Sequence, residues 1–179
     1  MLLDTDTRRI AVERSVRAIT LDGELETKIT LLREFDEDTL SGVDAQVRDA
    51  FFEGVIAIVA RDTYEEVNKL VPALVDRQGA VPESLYEKYA KELLDHSMSG
   101  ARAGKPAAKR GLRELPEPMV AILLNLIDRE FVAALNRYEA TKDFVAYHRD
   151  QVPANKRESL TDLVTLSARQ FYTKYPYGE

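Results

Sequence analysis

The chain has 179 residues, of which 45% are hydrophobic and 31% are charged, a composition typical of folded globular proteins rather than disordered or membrane-spanning ones. It contains no cysteine, which excludes disulfides, thiol catalysis and cysteine-ligated zinc or iron–sulfur sites. The net charge of −6 disfavours general binding to nucleic acid or anionic lipid, unless basic residues are segregated on one surface.

Residues 1–35 form an N-terminal appendage that fits either of two structures. An Asp-Gly turn at residues 22–23 would pair the flanking segments as an amphipathic β-hairpin. Alternatively, Val12, Val16 and Ile19 follow the spacing of one face of a helix. The threonines on both sides of the turn favour strands, so the sequence predicts the hairpin ahead of the helix.

Residues 36–96 carry three helical patterns. The first begins at a capping pair within residues 41–44, and the second begins at a similar signal at Thr63. Pro72 lies inside the second pattern, where it should kink the helix or split it one residue earlier. The third pattern begins at Pro82, because proline is well suited to the first position of a helix.

Residues 97–118 are rich in glycine, alanine, lysine and arginine, and predict a basic linker or loop. No acidic residue occurs between His96 and Arg113, so the linker forms a segregated basic segment within an acidic chain. Its functional interpretation is contact with an acidic protein surface or with phosphates. The alternative is a solvated loop. The candidate partner-binding residues of this segment are Arg102, Lys105, Lys109, Arg110 and Arg113.

Residues 119–170 predict a long central helix and a last helix. The long helix has a broad apolar face at its start, which is typical of a helix at the centre of a bundle or against a partner. Its pattern could continue past Thr141 as far as His148. The last helix begins at a capping signal at Ser159.

Residues 171–179 are rich in aromatic side chains and predict an extended tail, because Pro176 and Gly178 stop a helix. Aromatic side chains on an extended terminus are effective anchors in a protein interface. The alternative is that the tail folds back over its own bundle. The candidate anchors are Phe171, Tyr172, Tyr175 and Tyr177.

Signals for catalysis are weak. The chain has no Gly-x-Ser-x-Gly motif, no glycine-rich phosphate loop and no Glu-x-x-His motif. These motifs are typical of α/β-hydrolases, of nucleotide-binding sites and of di-iron bundles, respectively. A metal-dependent enzyme would have to assemble carboxylates and histidines from several helices. We therefore expect no enzymatic activity, no metal and no cofactor. The residues from which a metal site could be assembled are Glu92, Asp95, His96, Glu139, Asp143 and His148.

The N-terminal residues lack the basic and apolar regions of a signal peptide. The longest apolar run, from Met119 to Ile127, is too short to cross a bilayer. We expect no contact with membranes, and a location in the cytoplasm or in a particle such as a virion that is assembled there.

Together these patterns predict a mainly α protein with a single domain over residues 1–179. The expected fold is a bundle of about five helices, with a possible N-terminal β-hairpin and an extended C-terminal tail. The leading hypothesis is a non-enzymatic structural subunit of a larger complex, whose partners are other protein subunits in a homo-oligomer or ring. This organisation is similar to that of the small helical connectors of phage particles. The alternative is a nucleic-acid or regulatory binding module that uses residues 102–113.

Overall fold

The described part of the chain is helical. The computed structural model describes residues 7, 10–11, 13–15, 25–61, 64–98, 104–129 and 138–176. In these ranges the backbone forms α-helices, short 3-10 turns and connecting loops, and no β-strand. The predicted mainly α fold is therefore confirmed.

The helices that the structure describes from residue 25 onward are shorter and more numerous than the sequence predicts. They are α1 (Leu25–Glu34), α2 (Glu37–Ser41), α3 (Ala45–Ala60), α4 (Tyr64–Val75), α5 (Tyr86–Met98), α6 (Lys105–Arg113), α7 (Glu117–Arg129), α8 (Tyr138–Tyr147), α9 (Arg157–Thr165) and α10 (Ala168–Lys174). Three-residue 3-10 turns precede α5 and α9. A hydrophobic cluster of buried side chains runs from α1 to α10. Among the described residues, no helix is both long and apolar enough to span a membrane.

The predicted N-terminal β-hairpin is wrong for the part of it that the structure describes. Residues 25–30, the second predicted strand, belong to helix α1. The reason is the spacing of its buried residues. Lys28, Leu31 and Leu32 are buried at positions i, i+3 and i+4. The adjacent Leu31 and Leu32 are both buried, which fits a helix face and not the alternation of a strand. The turn at residues 22–23 lies outside the described residues.

Helix α3 begins later than the predicted capping pair suggests. The side chain of Asp44, not that of Ser41, accepts hydrogen bonds from the backbone N–H groups of Gln46 and Val47, and Ser41 is the last residue of α2. A carboxylate in this position satisfies two amides that have no partner inside the helix. The first of the three predicted helices thus divides into α2 and α3.

Helix α4 is continuous through Pro72, so of the two predicted alternatives, a kink or a split, the split does not occur. The buried side chains on both sides of the proline explain this result. Val67, Leu70, Val71 and Leu74 are each no more than 2% exposed. Burying each such side chain contributes roughly 1.5–3 kcal/mol, so their packing offsets a helix-breaking residue.

The predicted basic linker contains a helix, α6, so the prediction of a loop is wrong for residues 105–113. Gly104 has a left-handed backbone conformation with φ of 80°, which glycine adopts without strain. Its N–H donates to Oδ1 of Asn68 at 2.9 Å. Pro106 follows in the first turn, where its missing N–H removes no helical hydrogen bond. The glycine and proline that indicated a loop therefore start a helix.

The small residues of α6 form a packing surface. Ala108 and Gly111 are buried. A Cβ atom at Gly111 would lie 2.9 Å from Cγ2 of Val75 and 3.1 Å from Cδ1 of Leu93, closer than ordinary van der Waals contact. The absence of a side chain thus allows α6 to pack closely against α4 and α5.

The predicted long central helix is described in two parts. Helix α7 ends at Arg129 and α8 begins at Tyr138. Residues 130–137 lie outside the described residues. Met119, Val120, Leu123 and Leu124 are fully buried near the start of α7, as the broad apolar face of this segment indicates.

The predicted extended tail is helical as far as Lys174 in α10. Ser167 and Gln170 cap its first turn reciprocally, an arrangement that stabilises short helices. The Phe171 side chain is 0% exposed and belongs to the hydrophobic cluster. The alternative that the tail folds back over its own bundle is therefore the observed one for residues 171–175.

Candidate binding surface

Helix α6 presents a row of basic side chains. Lys105, Lys109 and Arg113 are spaced four residues apart, so they follow one another along the same side of the helix. Lys109 and Arg113 are exposed, and Lys105 is half-buried. Because Ala108, Gly111 and Leu112 occupy the buried side, the exposed Lys109 and Arg113 point away from the core. Arg102 lies outside the described residues.

Arg110 is separate from this row. One terminal nitrogen of its guanidinium donates to Oδ1 of Asp76 on the loop after α4, at 2.6 Å. This hydrogen bond raises the pKa of the Arg110 guanidinium and keeps its charge paired within the molecule. Of the five predicted basic residues, Arg110 therefore has a structural role in attaching α6 to α4.

A small cavity opens beside the basic row, between α5, α6 and α8. Its volume is about 30 Å³, above the roughly 10–15 Å³ that a cavity needs to hold a water molecule. Leu112, Ala140 and Phe144 are buried, and Ser97 at the end of α5 is buried beside them. We call this feature the α6/α8 cavity. Its lining residues are Ser97, Lys109, Leu112, Arg113, Ala140, Asp143, Phe144 and Tyr147.

Tyr147 at the rim of the cavity is exposed to an unusual degree. Its side chain is 59% exposed, and Ile10 is the other large hydrophobic residue that is exposed in the described part of the chain. Lys109 and Arg113 on α6 bring two positive charges to the rim, while Asp143 on α8 brings one negative charge. The rim thus combines a tyrosine and an arginine, two residue types that are enriched at the centres of protein interfaces.

His148 joins the two helices that form the cavity. Its Nε2 lies 2.8 Å from the backbone carbonyl of Leu112 on α6. Since a carbonyl only accepts, Nε2 carries the proton, and Nδ1 is left to accept from the side-chain amide of Gln151 at 3.3 Å. The ring also contacts those of Phe144 and Tyr147, with centroids 4.8 and 5.0 Å away. These contacts fix the position of Tyr147 relative to α6.

The carboxylates and histidines from which a metal site could be assembled are not brought together in the part of the chain that the structure describes. In the described ranges, no group of three histidine, aspartate or glutamate side chains is placed to hold a metal ion. His96 is buried, with its Nε2 2.9 Å from the carbonyl of Val59, and His148 is used as described above. Both histidines connect helices. Glu139 and Asp143 are exposed on α8, and Asp143 lines the α6/α8 cavity.

Several of the C-terminal aromatic residues contact other side chains of the same chain. Phe171 is buried, and its ring lies 4.9 Å from that of Tyr175. The Tyr175 hydroxyl donates to Oδ2 of Asp162 on α9 at 2.8 Å. Burial raises the pKa of this phenol, and the hydrogen bond to Asp162 raises it further. Tyr172 is half-buried against the core, and Tyr177 lies outside the described residues.

An ion pair completes this C-terminal contact. Lys174 lies 2.5 Å from Oδ2 of Asp162 and 3.4 Å from Oε1 of Glu158. The hydrogen bond from Lys174, followed by that from Tyr175, lowers the pKa of the Asp162 carboxyl. The Asp162 carboxylate thus holds the end of α10 against α9.

Sequence reasoning identified the basic row but missed Tyr147. Tyr147 lies beside the buried residues Phe144, Val145 and His148, so its position in the sequence is that of a core-facing stripe. The available signal was the four-residue spacing of Asp143 and Tyr147, which places them on the same side of α8. That this side of α8 lies next to the basic row becomes apparent only once α6 is known to be a helix.

The comparisons with known proteins identify no relative. No family model matches the chain, and no significant match occurs among the curated proteins or the solved structures.

Proposed function

We propose that this chain is a non-enzymatic structural subunit that binds other protein subunits through the surface around the α6/α8 cavity. The setting would be a larger assembly in the cytoplasm or in a particle formed there, such as a connector or adaptor ring of a phage. The observation that carries the proposal is the exposed tyrosine, Tyr147, held beside two cations and one carboxylate at the mouth of the α6/α8 cavity.

The size of the cavity favours a protein contact over a small-molecule substrate. Pockets that bind drug-sized ligands or cofactors typically enclose about 300–1,000 Å³, whereas the α6/α8 cavity has about 30 Å³. That space accepts the tip of one side chain. The side chains that contribute most to a protein–protein interface commonly fill small pockets of this kind.

The charges at the rim favour an acidic partner surface. Lys109 and Arg113 are both exposed, and among the described residues neither takes part in an ion pair. Arginine and tyrosine provide contact area and directed hydrogen bonds, so they contribute strongly when an interface covers them. A partner that places carboxylates opposite these cations gains both attraction and orientation.

Nucleic-acid binding is the second candidate, because Lys105, Lys109 and Arg113 form a row that could follow a phosphate backbone. Asp143 in the rim of the same cavity and the net charge of −6 oppose the approach of any anionic partner. They oppose nucleic acid more strongly, because every nucleotide carries a phosphate, whereas an acidic protein surface mixes carboxylates with neutral side chains.

A binding measurement with two probes tests the proposal. We would titrate the full chain into a labelled hexapeptide of glutamate, aspartate and leucine, and into a single-stranded DNA of similar length. Light scattering on the same samples measures self-association. The proposal predicts self-association or preferential binding of the peptide, weakened in K109A/R113A and unchanged in the matched control K69A/K88A. These control lysines are exposed and lie on α4 and α5.

Two results would contradict the proposed function. One is a monomer that binds neither probe. The other is tighter binding to DNA with a steep dependence on salt, which would establish the second candidate in its place.

A further inference from the structure

The two sides of the α6/α8 cavity carry charges of opposite sign. Lys109 and Arg113 line the cavity from α6, and Asp143 lines it from α8. All three residues are exposed, and none of them forms an ion pair with another described residue. The rim therefore presents cations and a carboxylate side by side, without an ion pair between them.

Each of these charges belongs to a row along its helix. Lys109 and Arg113 belong to the basic row of α6. On α8, Glu139 and Tyr147 lie four residues on either side of Asp143, so the three share one side of the helix. Glu139 is also exposed, and no ion pair between described residues involves it. A positive row thus lies beside a row that is negative and ends in an aromatic ring.

His148 and the core hold the two rows in place. Nε2 of His148 lies 2.8 Å from the carbonyl of Leu112 on α6, and its ring lies 5.0 Å from that of Tyr147 on α8. Leu112 and Phe144, which line the cavity, are both buried. A surface that is already ordered loses little side-chain entropy when it binds a partner.

The surface around the α6/α8 cavity is complementary to itself. A partner that matches it places carboxylates opposite α6 and cations opposite α8. Rotation by 180° about an axis that runs along the cavity, between the two helices, brings α6 of one copy opposite α8 of a second copy. The same rotation brings α8 of the first copy opposite α6 of the second. Both copies then use the same surface, and the contact is complete with two copies.

We infer that the surface around the α6/α8 cavity binds the same surface of a second copy, in a two-fold dimer. Lys109 and Arg113 of each copy face Asp143 of the other, so every contact occurs twice. The ring of Tyr147 faces the cations of the opposite α6, which is an attractive arrangement for lysine and arginine. It also adds the apolar contact area that exposed ion pairs lack. The inference rests on the proposed function and names the partner, which is the same chain.

The carboxylate of Asp143 favours this partner over a uniformly acidic one. Opposite a surface that carries only carboxylates, Asp143 would meet a like charge, which is unfavourable in an interface. In the two-fold dimer it meets Lys109 and Arg113 of the other copy. Each charge that lines the cavity then has an opposite charge facing it.

Charge exchange between the two rows tests the inference. The α6 variant K109E/R113E makes both rows mainly acidic, and the α8 variant E139K/D143K makes both rows basic. A combined variant carries all four substitutions and exchanges the signs of the two rows. Circular dichroism and thermal melting show that each variant is folded. Sedimentation velocity over a dilution series measures the mass and the dissociation constant.

Two control variants make the same changes of charge outside the cavity rim. K69E/K88E matches the α6 variant, and E26K/E53K matches the α8 variant. These residues are exposed and form two pairs across helices, Lys69 with Glu26 and Lys88 with Glu53, both at 2.9 Å. Exposed pairs contribute little to stability, so both controls should fold and dimerise as the wild type does.

We expect the wild-type chain to be a dimer at about 50 mM salt, with a dissociation constant that rises at about 500 mM because exposed charges are screened. The α6 and α8 variants should each dimerise at least about tenfold more weakly, since like charges then face each other twice. An equimolar mixture of these two variants should recover the dimer. The combined variant should recover it alone, because opposite charges again face each other.

Four outcomes would overturn the inference. The first is a wild-type chain that is monomeric at low salt throughout the dilution series. The second is a wild-type assembly of more than two copies that the α6 variant reduces to monomers, which indicates a head-to-tail contact. The third is an α6 or α8 variant that dimerises as the wild type does. The fourth is a folded combined variant that stays monomeric.

The proposed function is judged separately, by the peptide titration. A monomeric wild-type chain that binds the acidic hexapeptide through Lys109 and Arg113 would retain the function and exclude the second copy as partner. A chain that neither associates nor binds this peptide would lose both.

Discussion

The C-terminal segment 171–175 and helix α6 stand out in the sequence as two outward binding elements, and the structure treats them in opposite ways. The aromatic segment turns inward, with Phe171 0% exposed. The basic segment is a helix whose small residues are buried and whose Lys109 and Arg113 face outward. An unusual composition thus marks a segment as distinctive, but its orientation follows from which side chains the core can accept.

The difference between the two segments has a simple energetic cause. Burying a phenylalanine contributes about 1.5–3 kcal/mol, so an aromatic residue next to an apolar face is drawn into it. A buried cation without a partner costs several kcal/mol. Lys109 and Arg113 therefore stay outside while Ala108 and Leu112, their neighbours in α6, are buried.

The largest expected effect comes from Phe171→Ala, which tests whether the C-terminal segment packs against the core. Removing a fully buried phenylalanine costs about 3–5 kcal/mol, through lost burial and the cavity left behind. Urea denaturation measures the free energy of unfolding. The exposed Thr173→Ala on the same helix is the control, with an expected change within about 0.5 kcal/mol. A loss of less than about 1 kcal/mol for Phe171→Ala would mean that the segment is extended in solution.

Gly111→Val should have the next largest effect and tests whether α6 is a packed helix. Its side chain would meet Val75 and Leu93, and such overpacking costs about 1–3 kcal/mol. Lys109→Val places the same branched side chain on the exposed side of the helix, where the cost should be within about 0.5 kcal/mol. If the two variants unfold at the same urea concentration, residues 105–113 behave as the linker that the sequence predicts.

Asp162→Asn should remove a pH-dependent part of the stability of the C-terminal segment. The Asp162 carboxyl has a lowered pKa in the folded chain, so its ionised form stabilises the fold above about pH 4, the ordinary value for aspartate. This stabilisation is lost as the pH falls through the lower, folded-state pKa.

The midpoint of urea unfolding, measured between neutral and acidic pH, checks this prediction. The midpoint of Asp162→Asn should lie below that of the wild type at neutral pH and fall less on acidification. Asp150→Asn is the control, because that carboxylate is 97% exposed. Parallel pH curves for the wild type and Asp162→Asn would show that Asp162 does not hold α10 in solution.

The smallest expected effect on stability is that of Tyr147→Ala, which tests whether the surface around the α6/α8 cavity binds a partner. The side chain is 59% exposed, so the free energy of unfolding should change by no more than about 0.5 kcal/mol. Association or peptide binding should nevertheless weaken by about tenfold, as for a tyrosine at the centre of an interface. Light scattering and peptide titration measure this loss. A stable variant with unchanged association would remove Tyr147 from the binding surface.

The candidate site could be predicted only in part. The sequence identified Lys109 and Arg113, because an interval without acids is visible without any structure. It could not identify Tyr147, since that residue is distant in sequence from α6. The two elements meet through the contact of His148 with the carbonyl of Leu112, and a histidine–carbonyl contact leaves no pattern in the sequence.

The sequence by itself determined the mainly α fold and most of the core. Apolar residues at helical spacing along α3, α4 and α7 are visible in the chain, and burial of one helix face follows directly from that spacing. Signals of this kind involve only residues within a few positions of one another, so they can be read from the sequence without the tertiary structure.

The tertiary structure decided the conformation of those segments whose local sequence signals favour different structures. Pro72 stays within α4 because the packing of the buried side chains around it outweighs one missing hydrogen bond. Gly104 and Gly111 occur in and beside helix α6 because the first has a left-handed backbone conformation and the second lies too close to its neighbours for a side chain. The helix α1 replaces the expected hairpin because the adjacent Leu31 and Leu32 are both buried. In each case the free energy of the local conformation depends on residues distant in the sequence that contact the segment. Such contacts exist only once the chain has folded.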